Sequence, residues 1–329
     1  MSVLVGDIGG TKTGLAVADV DGDRVLLGLE RRYRSAEFSS LGDIVERFMT
    51  ETGADCEFGS FAVAGPVVDD RSKTTNLPWE LDARALTDRL GFRRARLLND
   101  LEAVAWGVPA LGAKDLATLQ VGQGGAAPAA ASGNACVIAA GTGLGEAGMY
   151  WDGERHRAFA TEGGHTDFAA VDEREFVLLG HLQKRFGRVS WERVVSGMGI
   201  GNLYLFLAQW HHAEHPPAVA EALESDGDLA AAVAASAAAG CPVSIETMDL
   251  FALLYGREAG NMGLKHLALG GVFLGGGIAP KNLDLLRSGG FIHGFLDKGR
   301  MRPLMERMPV KVILEPRTPL LGAARFMLS

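Results

Sequence analysis

The stretch that most constrains this chain runs from Arg94 to Trp106. Its first half alternates polar and apolar residues and closes on Leu97 and Leu98, as a strand does. After Asp100, the residues Leu101, Val104 and Ala105 fall at helical spacing. A strand therefore hands over to a helix at Asn99 and Asp100. In an open α/β sheet such a handover lies at the strand's carboxyl end, where ligands collect. Asp100 is then either a carboxylate offered to a ligand or the residue that caps the helix, and the stretch alone leaves both open.

With 329 residues the chain suits one large or two ordinary domains, and two are expected. Its formal net charge of -8 argues against binding nucleic acid through the phosphates. The dense basic spots, Arg31, Arg32 and Arg34 and then Arg93, Arg94 and Arg96, read as solvated edges. Cys56, Cys136 and Cys241 are far apart and form no zinc or disulfide pattern, which suits the reduced thiols of a cytoplasmic protein. No basic leader precedes Asp7, so a signal peptide is not expected. The uncharged windows 229–245 and 267–280 are broken by Gly and Pro or too short to span a bilayer, so no membrane association is expected.

Residues 2–6 read as a buried strand and 7–13 as a tight polar turn, followed by returning strands through Leu15, Val17, Val25 and Leu27. Such a turn, with Gly9, Gly10, Thr11 and Lys12, can bring bare backbone amides to phosphate oxygens, and Asp7 can hold magnesium through water. It can equally be an ordinary Gly-Gly turn. It is not a Walker loop, because no G-x-x-x-x-G-K-[ST] opens a helix here. A helix is expected over 40–52, a strand over 61–67, a rigid loop over 76–79 and a helix over 81–90. Residues 122–133 read as a flexible loop or hinge. The pattern then restarts: a strand over 135–140, a second glycine turn at Gly141, Thr142 and Gly143, and another strand. Two such turns, one per domain, can grip a polyphosphate from opposite sides.

Glu162 and His165 sit among glycines in a segment, 160–168, without strand or helix period, a context that favours ligand contact without implying a metal site. Helices follow over 173–186, 200–210 and 218–239. Ser190 reads as a cap, with Glu192 favoured in the first turn by the helix dipole alone. His211, His212 and His215 read as a solvated helix end. A long helix over 250–267 precedes a strand ending in Gly275, Gly276 and Gly277, and the next helix start makes an ordinary nucleotide site. A strand over 310–314 and a helix over 320–328 close the chain.

In order, the chain thus carries D-x-G-G-T, A-G-P, N-D, G-T-G, E-G-G-H and G-G-G-I. The ordered set resembles the bacterial glucokinases of the hexokinase, actin and heat-shock-protein ATPase superfamily, from Asp7 to the last helix. Lys298, Gly299, Arg300 and residues 320–324 are similar to that family's carboxyl-terminal segment. The resemblance implies an α/β, two-domain actin-like (ribonuclease H-like) fold around a cleft: 1–111 with 315–329 as a small domain, 112–314 as a large one. It implies ATP and magnesium on one side and glucose at the bottom, in a cytoplasmic homodimer that forms glucose 6-phosphate. Asp7, Gly9, Gly10 and Thr11 correspond to the first phosphate loop, Gly141, Thr142 and Gly143 to the second, and Gly275, Gly276 and Gly277 to the adenosine side. Asn99, Asp100, Glu162, His165 and Glu192 match the sugar contacts, with Asp100 in the position of the general base.

A helix start lowers a carboxyl's pKa, so Asp100 is expected below the usual range; a largely dissociative phosphoryl transfer tolerates that. Three features depart from the family pattern. Met198 stands where proline is usual and is expected to loosen the next helix's start. Glu146 puts an acid beside the second phosphate loop, tolerable only if its side chain points away. Residues 124–133 are unusually bland. The rival readings are a repressor-related sugar kinase acting on another hexose or an N-acetyl sugar, which would carry cysteines after the histidine, and a sugar-sensing DNA-binding regulator, which would need a helix-turn-helix before Asp7. A chaperone-like ATPase would have no use for Glu162 and His165.

Overall fold

The computed structural model describes residues 1–22, 24–74, 77–122 and 132–329. Asp23, Asn76 and most of the expected hinge at 122–133 lie outside the described residues.

The amino-terminal meander forms as its alternation dictates. Strands β1 (Ser2–Ile8), β2 (Lys12–Asp21) and β3 (Arg24–Arg34) pair antiparallel in sequence. Helix α1 (Leu41–Thr52) starts at Ser40, whose hydroxyl accepts the Asp43 amide. Strand β4 (Phe58–Val63) then joins β1 in parallel. It begins before Phe61 and stops at Val63, short of the expected Val67, because Gly65 takes a left-handed conformation and turns the chain out. A small hairpin of β5 (Arg71–Lys73) and β6 (Glu80–Asp82) leads to α2 (Ala83–Leu90). Strand β7 (Arg94–Asn99) completes a five-stranded sheet ordered β3-β2-β1-β4-β7. Arg96 departs from the solvated-edge reading: its guanidinium stacks 3.8 Å over the Phe326 ring.

Helix α3 (Asp100–Gly107) follows β7 without a break. Then come β8 (Leu116–Gln120), β9 (Ala135–Ala140), β10 (Leu144–Trp151) and β11 (His156–Thr161). Residues 160 and 161 therefore belong to a strand, and only the segment after them is irregular. A helical layer is built from α4 (Glu173–Phe186), α5 (Gly197–His211), α6 (Pro217–Glu224), α7 (Leu229–Ala238) and α8 (Pro242–His266). Helix α8 starts at Pro242, well before the expected residue 250, since proline in the first helical position lacks only an amide that no carbonyl needs there. Strand β12 (Gly271–Gly275), short helices α9 (Ile278–Lys281), α10 (Leu283–Arg287), α11 (Gly290–Leu296) and α12 (Arg302–Met305), strand β13 (Val310–Ile313) and helix α13 (Thr318–Phe326) end the chain. The second sheet runs β11-β10-β9-β12-β13-β8.

The two sheets meet across α3. Ala103 packs with Leu320, Ala323 and the first sheet's Val3 and Val5, while Val104, Ala105 and Val108 pack with Val137, Met149 and Phe273 of the second. A helix apolar on both faces is held on both, and each fully buried aliphatic side chain contributes roughly 1.5–3 kcal/mol. Whatever stands at the amino end of α3 is thereby fixed at the junction of the sheets. Among the described residues no single helix is both long and apolar enough to cross a membrane; α7 and α8 meet both conditions only together, across a 113° bend. Cys56, Cys136 and Cys241 are free.

Candidate active site

The strand-to-helix handover falls where the sequence places it, and the cap goes to Asn99 rather than Asp100. Asn99 is the cap: its side-chain oxygen accepts the amides of Leu101 and Glu102 at 2.9 and 3.2 Å. Its amide nitrogen donates to the Gly65 carbonyl at 3.1 Å, tying β7's end to the A-G-P turn. Asp100 is left as the first helical residue, with Oδ1 accepting the Leu101 amide at 2.9 Å.

The expected low pKa is overturned. Burial pushes the Asp100 carboxyl up to about 6; the Leu101 amide pulls the other way, and the charges of Asp7 and Glu162 add to the rise. Loss of hydration outweighs the helix amino terminus here. The carboxyl is thus poised near the pH at which a general base works well.

Asp7, near the end of β1, faces the same space, and burial raises its pKa against the opposing charge of Arg32. The turn that follows closes on itself through the Gly9 amide and the Lys12 carbonyl at 3.0 Å. Ser35 holds it from β3's far end, donating its hydroxyl to the Gly9 carbonyl at 2.8 Å and its amide to the Thr11 carbonyl at 3.1 Å. Thr11 and Lys12 are exposed.

The second turn is built differently. The Gly141 amide donates to the Gly143 carbonyl at 2.9 Å, and the Gly141 carbonyl accepts the Gly197 amide at 2.8 Å. Glu192 lies in the 3-10 turn Trp191–Arg193 rather than in the first turn of a longer helix, and Ser190 makes no side-chain cap. The Glu192 carboxylate instead accepts the Leu144 amide at 3.0 Å with Oε2, while Oε1 lies 3.9 Å from Nδ1 of His165. Nε2 of His165 lies 3.8 Å from Glu162. Glu162, His165 and Glu192 therefore form one acid–imidazole–acid row beside the second turn. Ser196 caps α5 by accepting the Gly199 amide at 2.9 Å, so Met198 does not loosen that helix's start. Glu146 turns its side chain into the core, away from the cleft.

Gly275, Gly276 and Gly277 end β12. Gly276 has a φ of 76°, and a Cβ there would collide with the Ala140 carbonyl, so only glycine lets this turn lie against β9. These glycines line a cavity of about 460 Å³ together with Asp7 and Asp100. Leu101 and Val104 supply one apolar wall, and residues 314–316, 318 and 319 another. That second wall and Lys281 are absent from the sequence-based site. The signal for them was the E-P-R-T-P run after β13, another strand end in an open sheet. Glu315 in it is held by Arg317 through bonds of 2.9 and 2.7 Å.

The donors present suit hydrated magnesium. Asp7 is a buried carboxylate opposed by the charge of Arg32, and among the described residues no cluster of three or more His, Cys, Asp or Glu forms a closed metal cage. A magnesium ion held largely by water and phosphate needs only one or two such carboxylates.

The sequence model of the Glucokinase family matches residues 4–329. Glucokinases of Nostoc punctiforme and of a Synechocystis species are each 41% identical to this chain, covering 98% of it and 97% of their own length. One from Xanthomonas oryzae is 37% identical over 98% of the chain and 94% of its own. Among solved structures, a glucokinase from an Antarctic psychrotroph superposes with a TM-score of 0.85 at 29% identity, covering 99% of this chain and 98% of that one. A ROK family glucokinase from Streptomyces griseus, in complex with glucose and AMPPNP, shares the fold at a TM-score of 0.66 and 22% identity, with 99% of each chain covered.

Proposed function

The chain belongs to the glucokinase family, and on that premise we propose that Asp100 is the general base of its reaction. The activity is ATP-dependent phosphorylation of D-glucose, giving glucose 6-phosphate and ADP. Asp100 accepts the proton of the sugar's primary hydroxyl as that oxygen bonds to the γ-phosphorus and the bridge to ADP breaks. The observation that carries this is the shared cavity: Asp100 faces it beside Asp7 and the Gly275–277 turn, with a carboxyl pushed up to about 6.

Glucose lies against Asn99, Asp100, Glu162, His165 and Glu192. Its hydroxyls both donate and accept, so carboxylates and an imidazole satisfy them in pairs, and an analogue lacking one hydroxyl strands a buried polar group. Asn99 spends its oxygen on the helix cap, which leaves one amide hydrogen for the sugar. The phosphates lie between Gly9, Gly10, Thr11 and Lys12 on one side and Gly141, Thr142 and Gly143 on the other, with adenosine at Gly275–277. Asp7 would hold magnesium through water, and the bound ion would neutralise charge at the phosphates. The small domain comprises 1–111 with 315–329, supported by α13's packing on α3 and β1, and the large one 112–314. A cytoplasmic homodimer is inferred from the family.

The test is a coupled assay with magnesium-ATP and a panel of hexoses, run on the wild type and Asp100→Asn. Glucose-dependent ADP release that falls about 10²–10⁴-fold in the variant is expected; undiminished release removes Asp100 from the chemistry. The variant is also expected to be the more stable protein. An acid whose pKa is raised from 3.8 to about 6 stabilises the fold below about pH 4, and that contribution is lost as the pH rises to 6. Two pH units correspond to roughly 3 kcal/mol. A higher Tm above pH 7 together with lost turnover separates chemistry from unfolding.

A further inference from the structure

Glu146 follows the second glycine turn but is 1% exposed. It meets the fully buried Glu258 of α8 closely enough for one carboxyl to hydrogen-bond the other. Oε1 of each is buried and makes no hydrogen bond among the described residues. A proton shared between the carboxyls supplies a hydrogen bond that neither otherwise has, and two buried carboxylates this close do not both ionise readily. Glu258 is the better place for the charge. Its Oε2 accepts from Asn261 at 2.8 Å, and Lys265 lies 3.7 Å from its Oε1. The proton belongs on Glu146.

The irregular segment that carries Glu162 and His165 rests on this carboxyl. Thr161 donates its hydroxyl to the Glu146 carbonyl at 2.9 Å. A Cβ on Gly163 would collide with Oε2 of Glu146, and one on Gly164 with the Leu144 carbonyl. The two glycines let the backbone lie directly on β10, so the Glu146 carboxyl is its floor.

We propose that the singly protonated Glu146–Glu258 pair is a positioning device for the sugar, seating residues 162–165 so that Glu162 and His165 meet the hexose. This rests on the assignment of those two residues to glucose. Loss of the shared proton leaves two charges in a closed space. Of the groups facing the pair, Cys136 of β9 and Tyr255 of α8 are both held neutral by burial, Lys265 acts on both carboxyls, and Lys298 acts on Glu258. On the opposite face of β10, Leu101 packs at Gly145. The yielding wall is the segment at Gly163, whose neighbours Glu162 and His165 have side chains 56% and 58% exposed. Burial and the Glu258 charge push Glu146 up to about 8 against the charge of Lys265, which puts the unseating within reach of an ordinary pH titration.

The experiment is the glucose KM of the full chain at saturating magnesium-ATP, from about pH 7 to 9.5, for the wild type, Glu146→Gln and Glu258→Gln, with Glu162→Gln as control. In the wild type KM is expected to rise toward tenfold per pH unit above about 8, with kcat changing less. Either amide removes one charge and keeps a donor, so both variants are expected to be flat. A flat wild-type profile, or a rise that survives in both variants, overturns the proposal. A Glu162→Gln variant with unchanged glucose KM overturns the sugar assignment beneath it, whereas a raised KM there with a flat wild-type profile overturns the floor alone.

Discussion

The turn after β1 and the turn after β9 are both short glycine-threonine loops at the end of a central strand, yet they are held by different parts of the molecule. The first is fastened by its own hairpin and by Ser35, all within one sheet's meander. The second is fastened by Glu192 and Gly197, some fifty residues on, with Glu192 also reaching His165. A ligand that pulls on Glu192 or His165 therefore pulls on the second turn and leaves the first alone. On the proposed assignment of Glu192 and His165 to the sugar and of both turns to the phosphates, the second turn is the one that couples the two ligands.

Removing Glu192 should break that asymmetry most visibly. In Glu192→Ala the Leu144 amide loses a charged acceptor and His165 a neighbour, a loss of about 1.5–3 kcal/mol. We expect KM to rise roughly tenfold to a hundredfold for both glucose and ATP. A rise for glucose alone would mean that the second turn stands without Glu192. A smaller effect is expected at Ser35→Ala, which removes the hydroxyl bonded to the Gly9 carbonyl and beside Thr13 at 3.0 Å. One neutral hydrogen bond is worth about 0.5–1.5 kcal/mol, so ATP KM should rise a few-fold to about tenfold with glucose KM unmoved. A matching change in glucose KM would show the first turn to be coupled as well.

The difference between the turns was not legible in the sequence, and the reason is physical. Alternation and helical spacing report local structure, so the β7-to-α3 handover stands where it was expected at Asn99 and Asp100, and the β1–β2 hairpin forms with a turn of 9–11, tighter than the expected 7–13. Both turns, read locally, are glycine-rich and look alike. What separates them is contact across the chain: Glu192 to Leu144, Gly197 to Gly141, Gly163 to Glu146. The pKa of Asp100 failed for the same cause. Position at a helix start is visible in sequence, whereas the burial that dominates is made by α3's place between two sheets. The start of α8 at Pro242 was also not legible as such, because a proline that breaks a helix in its middle is harmless at its first residue. The wall formed by residues 314–316, 318 and 319 was missed because the E-P-R-T-P run marks only a strand end, and its place on the cavity is made by the packing of β13.

The ionisation of Asp100 before glucose binds is the central feature, and the pH dependence of kcat/KM for glucose at saturating magnesium-ATP reads it. A base must be deprotonated to accept the hydroxyl proton, so kcat/KM is expected to be level above pH 7 and to fall about tenfold per unit below a pKa near 6. A kcat/KM that stays level to pH 5 with the protein still folded would contradict it.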